Sequence, residues 1–192
     1  GFDILPTLLK DIDKLLESTE IHLKLNGILK ADTAFDNLQN ALAYVKDRPV
    51  TYRFIEFMQT SDNSELFFAE HASGKTIKNH LLENGWTATE RAIDSGPATE
   101  FGHDDYVGKI GLIEPYAPQF CDSCNRLRVS SQGKIHLCLF DQQNYDIRQF
   151  LSNQDNDGLI LALQSLMPIK PEHHFFFFFY SGMRAKLSMV GG

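Results

Sequence analysis

Apolar residues at Ile4, Leu5, Leu8, Leu9, Ile12, Leu15 and Leu16 recur at helical spacing, and Pro6 suits the first turn of the helix they predict. Ile21, Leu23 and Leu25 alternate with His22, Lys24 and Asn26, which reads as a strand with one polar face. Phe35, Leu38, Leu42 and Val45 line one side of a second helix. The next strand spans 50–58, Val-Thr-Tyr-Arg-Phe-Ile-Glu-Phe-Met. Helix, strand, helix, strand at this spacing implies parallel βα units and an α/β fold class.

The pattern changes after Met58. Residues 60–64 are polar and loop-like, and a short helix over 75–83 stops at Asn84-Gly85. Short strands are expected at 86–91, 106–114, 126–130 and 134–140, then helices at 145–151 and 158–166, ending at Pro168. Two βα units cannot close a parallel barrel. The chain also starts directly on a helix. The expectation is therefore that 1–60 is the C-terminal part of an incomplete TIM-type βα barrel. Residues 61–192 would form an α+β region carrying a β-hairpin. There are no internal repeats. Five consecutive phenylalanines at 175–179 fit neither periodicity, and a buried strand and a hydrophobic plug both stay open.

Composition narrows the function classes. Hydrophobic residues make up 43% of the chain, enough for a core and unlike a disordered sequence. The 18 Lys plus Arg against 25 Asp plus Glu leave a net charge of −7. That argues against a general nucleic-acid or anionic-membrane binder, while leaving room for a local basic pocket. No apolar stretch reaches the length of a membrane span, and no basic-then-apolar leader opens the chain. A cytoplasmic location is expected.

Chemistry concentrates on the cysteines. Three is a poor count for a disulfide framework. Cys121 and Cys124 form a C-x-x-C pair, and Cys138 follows after thirteen intervening residues. That favours a metal site in a reducing compartment. A structural zinc wants four closed ligands, and a 4Fe–4S cluster usually has four cysteines. With three cysteines, one iron would be open to a ligand. On chemistry alone, zinc with His136 as fourth ligand in a non-catalytic module stands level with iron–sulfur, and unmetallated thiols remain a third option.

Strand parity adds neighbours. Cys124, Arg126, Arg128 and Ser130 alternate with Leu127 and Val129; Lys134, His136, Cys138 and Phe140 alternate with Ile135, Leu137 and Leu139. A three-residue loop at 131–133 would pair Arg128 with His136 and Arg126 with Cys138, with Gly133 in a left-handed position. Two arginines beside thiolates suit an anion, because guanidinium matches phosphate oxygens. They could equally pair with Asp122.

The stretch 120–134, Phe-Cys-Asp-Ser-Cys-Asn-Arg-Leu-Arg-Val-Ser-Ser-Gln-Gly-Lys, with Cys138-Leu139-Phe140, closely resembles the molybdenum cofactor biosynthesis protein A family. Its members are the radical S-adenosylmethionine GTP 3′,8-cyclases. Arg53-Phe54-Ile55-Glu56-Phe57-Met58, Lys24-Leu25-Asn26, Gly111-Leu112-Ile113 and the terminal Val190-Gly191-Gly192 resemble further family motifs. The resemblance implies a 4Fe–4S cluster on Cys121, Cys124 and Cys138 whose open iron binds the guanine of GTP. It points to Lys24, Arg126, Leu127 and Arg128 as GTP contacts, and to Met58 as an S-adenosylmethionine contact. It makes Gly191 and Gly192 an active-site tail. It also implies a homodimer and hand-over to cyclic pyranopterin monophosphate synthase.

The chain departs from the family pattern in three places. The N-terminal C-x-x-x-C-x-x-C motif that serves the family's radical chemistry is absent, and no cysteines are left to make it. The K-x-N strand continues as Leu29-Lys30-Ala31 where the family usually has Lys-Gly, and the phenylalanine run replaces a mostly polar segment. The expectation is a substrate-binding portion that does not generate a radical by itself.

Overall fold

The computed structural model describes residues 4–90, 96–122, 124, 126–140 and 143–171. These fall into two compact units, one drawn from Gly1–Glu56 and Ala72–Ile113, the other from Phe57–His71 and Glu114–Gly192.

The first unit is built on βα repeats. Helix α1 (Leu5–Ser18) precedes strand β1 (Leu23–Leu29), helix α2 (Ala34–Val45) and strand β2 (Val50–Glu56). The two strands pair in parallel over their whole length, from Leu23 opposite Val50 to Leu29 opposite Glu56. Later in the chain come α4 (Gly74–Glu83), β3 (Thr87–Ala88), β4 (Thr99–Gly102) and β5 (Lys109–Ile113). The sheet runs β1-β2-β5-β4-β3, with β5 parallel to β2 and the last two strands antiparallel. It is an open mixed sheet, so the fold is α/β.

The apolar spacing of α2 explains which face is covered. Leu38, Ala41 and Val45 from α2, with Ile77 and Leu81 from α4, pack on Leu29, Phe54, Ile110 and Leu112, and Trp86 and Phe101 complete the core. The start of α4 is fixed twice: Ser73 Oγ accepts from the Lys75 amide at 3.3 Å, and buried Glu56 accepts from the Gly74 amide at 2.7 Å. The helix ends where expected, with Gly85 at φ +84°. Strand β2 stops at Glu56 rather than at Met58, and the Glu56 carboxylate is the group that caps α4.

The second unit is smaller in its strands. Helix α3 is Ser64–Glu70, and β6 (Arg128–Val129), β7 (Lys134–His136) and β8 (Tyr145–Asp146) form a three-stranded antiparallel sheet. Helices α5 (Arg148–Ser152) and α6 (Asn156–Leu166) follow, then a short 3-10 turn, Met167–Ile169. Ile135, Leu137, Ile147 and Leu166 make its core, and Phe67 stacks with His71 and Tyr116.

Several sequence expectations change here. A helix over 145–151 gives way to β8 and α5, because Tyr145 and Asp146 pair with Ile135 and Lys134 while Ile147 enters the core. The strands expected at 126–130 and 134–140 shorten to Arg128–Val129 and Lys134–His136, and that at 86–91 to Thr87–Ala88 among its described residues. The phenylalanine run at 175–179 lies outside the described residues. Among the described residues, no helix is long and apolar enough to cross a membrane.

Candidate functional site

The cysteine segment is organised by a hairpin. Loop 131–133 joins β6 to β7, Gly133 adopts φ +69°, and Arg128 pairs with His136 as the parity argument expects. The loop is closed by Ser130 donating to Lys134 at 2.9 Å and Gly133 donating to Ser130 at 3.0 Å. The ladder ends at Arg128 and His136, so Arg126 and Cys138 lie beyond it and do not form a strand pair.

A tight turn draws Cys121 and Cys124 together, the Cys124 amide donating to the Cys121 carbonyl at 2.9 Å. Cys121 and Cys138 are half-buried and Cys124 is exposed. Arg128 is half-buried; burial pushes its pKa down and the charge of Arg126 adds to that, while the thiols of Cys124 and Cys138 act in the opposite sense. Arg126 and Leu127 are exposed. Lys170, just after the 3-10 turn, donates to the Cys124 carbonyl at 2.6 Å and lies 3.4 Å from its Sγ. Ser123 and Asn125 lie outside the described residues.

Donor chemistry and donor geometry differ at this point. Three thiols suit iron–sulfur or zinc, and cations beside them suit an anionic assembly. Yet among the described residues no group of three His, Cys, Asp or Glu side chains is gathered closely enough to hold a metal ion. His136 is buried, with Nδ1 3.2 Å from the Gln143 carbonyl. Met58 is half-buried in the loop after β2, its carbonyl accepting from Asn63 Nδ2 at 3.1 Å. Gly191 and Gly192 lie outside the described residues.

A second polar surface belongs to the first unit. Its helix-covered sheet face is apolar; the opposite face carries Lys24, Asn26, Thr51, Arg53, Lys109 and Glu100 by register. Lys24 Nζ donates to Glu100 Oε1 at 3.1 Å, Arg53 Nε donates to Asn26 Oδ1 at 2.9 Å, and His22 Nε2 lies 3.2 Å from Thr51 Oγ1. Sequence reading singled out Lys24 but passed over Arg53. Its position beside Asn26 follows only from the β1–β2 register.

Comparison with known proteins gives the family. The family model for Molybdenum Cofactor Synthesis C matches residues 50–176. The chain belongs to this family. Among curated relatives, a GTP 3′,8-cyclase from Actinobacillus succinogenes is 44% identical over 186 residues, covering 96% of this chain and 55% of the relative. Those from Haemophilus ducreyi and Vibrio vulnificus are 40% and 42% identical, with 57% and 56% of each relative covered. The chain thus spans about half the length of the curated relatives it matches. All three cysteines, Arg126, Leu127, Arg128 and Met58 lie inside the Molybdenum Cofactor Synthesis C match; Lys24, Gly191 and Gly192 lie outside it.

Proposed function

We propose that this chain is the GTP-binding, C-terminal portion of a GTP 3′,8-cyclase in molybdenum cofactor (molybdopterin) biosynthesis. The observation that supports the reading is the Molybdenum Cofactor Synthesis C match over residues 50–176, which takes in the Cys121–Cys124 turn, Cys138 and half-buried Arg128. A guanidinium there can neutralise thiolates and an incoming phosphate together. Cys121, Cys124 and Cys138 would hold a 4Fe–4S cluster, which when bound supplies an open iron for the guanine. Arg126, Leu127 and Arg128 would line the GTP beside it. Lys24 is also assigned to GTP, and Arg53 shares its sheet face by register. Met58 is assigned to S-adenosylmethionine, and Gly191 and Gly192 to an active-site tail.

The role of this chain's own residues is positioning and charge neutralisation. All three of its cysteines are taken by one cluster, so reductive cleavage of S-adenosylmethionine needs thiols that these residues do not provide. The reading extends to β1 and β2 as strands of an incomplete βα barrel over 1–60, to a 61–192 cluster region, to a cytoplasmic homodimer, and to hand-over to cyclic pyranopterin monophosphate synthase.

Two measurements on anaerobically reconstituted protein test it. Iron and sulfide analysis should give roughly four irons per chain with broad visible absorption. One zinc per chain and no iron uptake would replace the reading with the zinc module. Calorimetry should then show GTP binding that Arg126→Ala weakens about tenfold, in line with a charge-assisted phosphate contact. Equal GTP affinity in both proteins would reject the arginine's role.

A further inference from the structure

The polar sheet face holds one acidic strand residue among its basic ones. Lys24 on β1, Arg53 on β2 and Lys109 on β5 share it by register, and so does Glu100 on β4, opposite Gly111. The chain as a whole carries a net charge of −7, so this excess of cations is local. Strands β1 and β4 are separated by β2 and β5. The 3.1 Å Lys24–Glu100 pair therefore reaches over two intervening strands, roughly 14 Å of sheet spacing. Thr51 lies opposite Lys24 and Gly111 opposite Glu100, and the Arg53 side chain lies against Gly111. The two side chains keep only 30% and 18% of their exposure, so the pair is more shielded from water than an ordinary surface contact.

We infer that Glu100 is a specificity-determining residue: an internal counter-ion that competes with a polyphosphate for Lys24. This rests on the reading of Lys24 as a substrate contact. A carboxylate and a phosphate oxygen make the same demand on one ammonium group. A phosphate arriving at Lys24 must displace Glu100 and then sit beside its charge. A lone anion with a single contact cannot offset that. A triphosphate, anchored also by neighbouring basic groups such as Arg53, can. The pair thus filters out single anions and admits a multiply held ligand.

Calorimetry on the 192-residue chain at fixed ionic strength tests this, with inorganic triphosphate and inorganic phosphate as probes. Glu100→Gln should bind triphosphate about three- to tenfold tighter, with a larger relative gain for inorganic phosphate. The gain should vanish in the Lys24→Met/Glu100→Gln double variant, since the competition acts only through Lys24. Glu100→Ala removes the same charge without an amide that could bond to Lys24, and should give the same sign. Unchanged or weaker triphosphate binding in both Glu100 variants, with thermal midpoints near that of the parent, overturns the inference. Lys24→Met binding triphosphate as the parent does would instead remove Lys24 from the site, and this inference with it.

Discussion

The sheet unit and the cysteine unit are stabilised by different means. In the first, among the described residues, ten buried side chains from two helices and four strands, together with Trp86, interlock in one core. In the second, the buried cluster among the described residues is Ile135, Leu137, Ile147 and Leu166, and the described strands are two or three residues long. The residues with the most chemistry, Cys124, Arg126 and Arg128, are exposed or half-buried and lie outside that cluster. A bound group there would add its binding free energy to the folding free energy of this unit. The lesson is that scaffold and site need not draw on the same source of stability.

Core truncation tests this most strongly. Phe54→Ala in the sheet unit should cost about 3–5 kcal/mol, and Leu137→Ala in the cysteine unit nearer 2 kcal/mol, because a small core relaxes around a cavity more readily. Urea unfolding followed by fluorescence of the single tryptophan, Trp86, reports the first; far-UV circular dichroism reports the second. Equal losses would erase the contrast.

Glycine substitutions sharpen it. A Cβ at Gly108 would lie 2.5 Å from the Arg48 carbonyl oxygen and closer still to that of Val50, both backbone atoms that cannot swing away. Gly108→Ala should therefore cost about 1–3 kcal/mol as overpacking. At Gly133 the conflict is φ +69° together with the flexible Arg148 side chain, whose Cγ would lie 2.6 Å away. Gly133→Ala should cost about 1–2 kcal/mol through left-handed strain. It should also loosen the hairpin, seen as faster amide exchange at Ser130 and Lys134.

The smallest effect is electrostatic. Asp146 is held at a pKa of about 2 by hydrogen bonds from the Arg148 side chain and then from its backbone amide. A depressed carboxylate stabilises the fold above its ordinary value of 3.8 and loses that contribution as pH falls toward 2. The pair is exposed, so the gain is slight. NMR titration of Asp146 should show its midpoint rising toward 3.8 in Arg148→Met.

How much of this was legible beforehand depended on the range of the interaction. The βα repeat and the α4 stop at Gly85 follow from local periodicity and turn chemistry, and both form. The Arg128–His136 register was readable because a three-residue loop and strand parity determine it. Helix α3 was not foreseen: 60–64 reads as a loop, and nothing local shows that Phe67 will be buried against Tyr116, far along the chain. Strand β4 carries one deeply buried apolar side chain, Phe101, so periodicity had little to detect. At the sites, the residue types were plain from sequence. The Glu100 partner of Lys24, 76 positions away, emerged only from the sheet order.

The interleaving of the two units has a practical consequence for dissecting the molecule. The chain leaves the sheet unit at Phe57 and re-enters it at Ala72. A contiguous fragment starting at Glu114 would keep every cysteine but lose α3. Tyr116 would then lack the Phe67 and His71 rings it stacks on and the Gln59 amide that donates to its hydroxyl. Isolating the cysteine unit calls for a circular rearrangement or a linker joining residues 57–71 to 114 onward, not a simple cut.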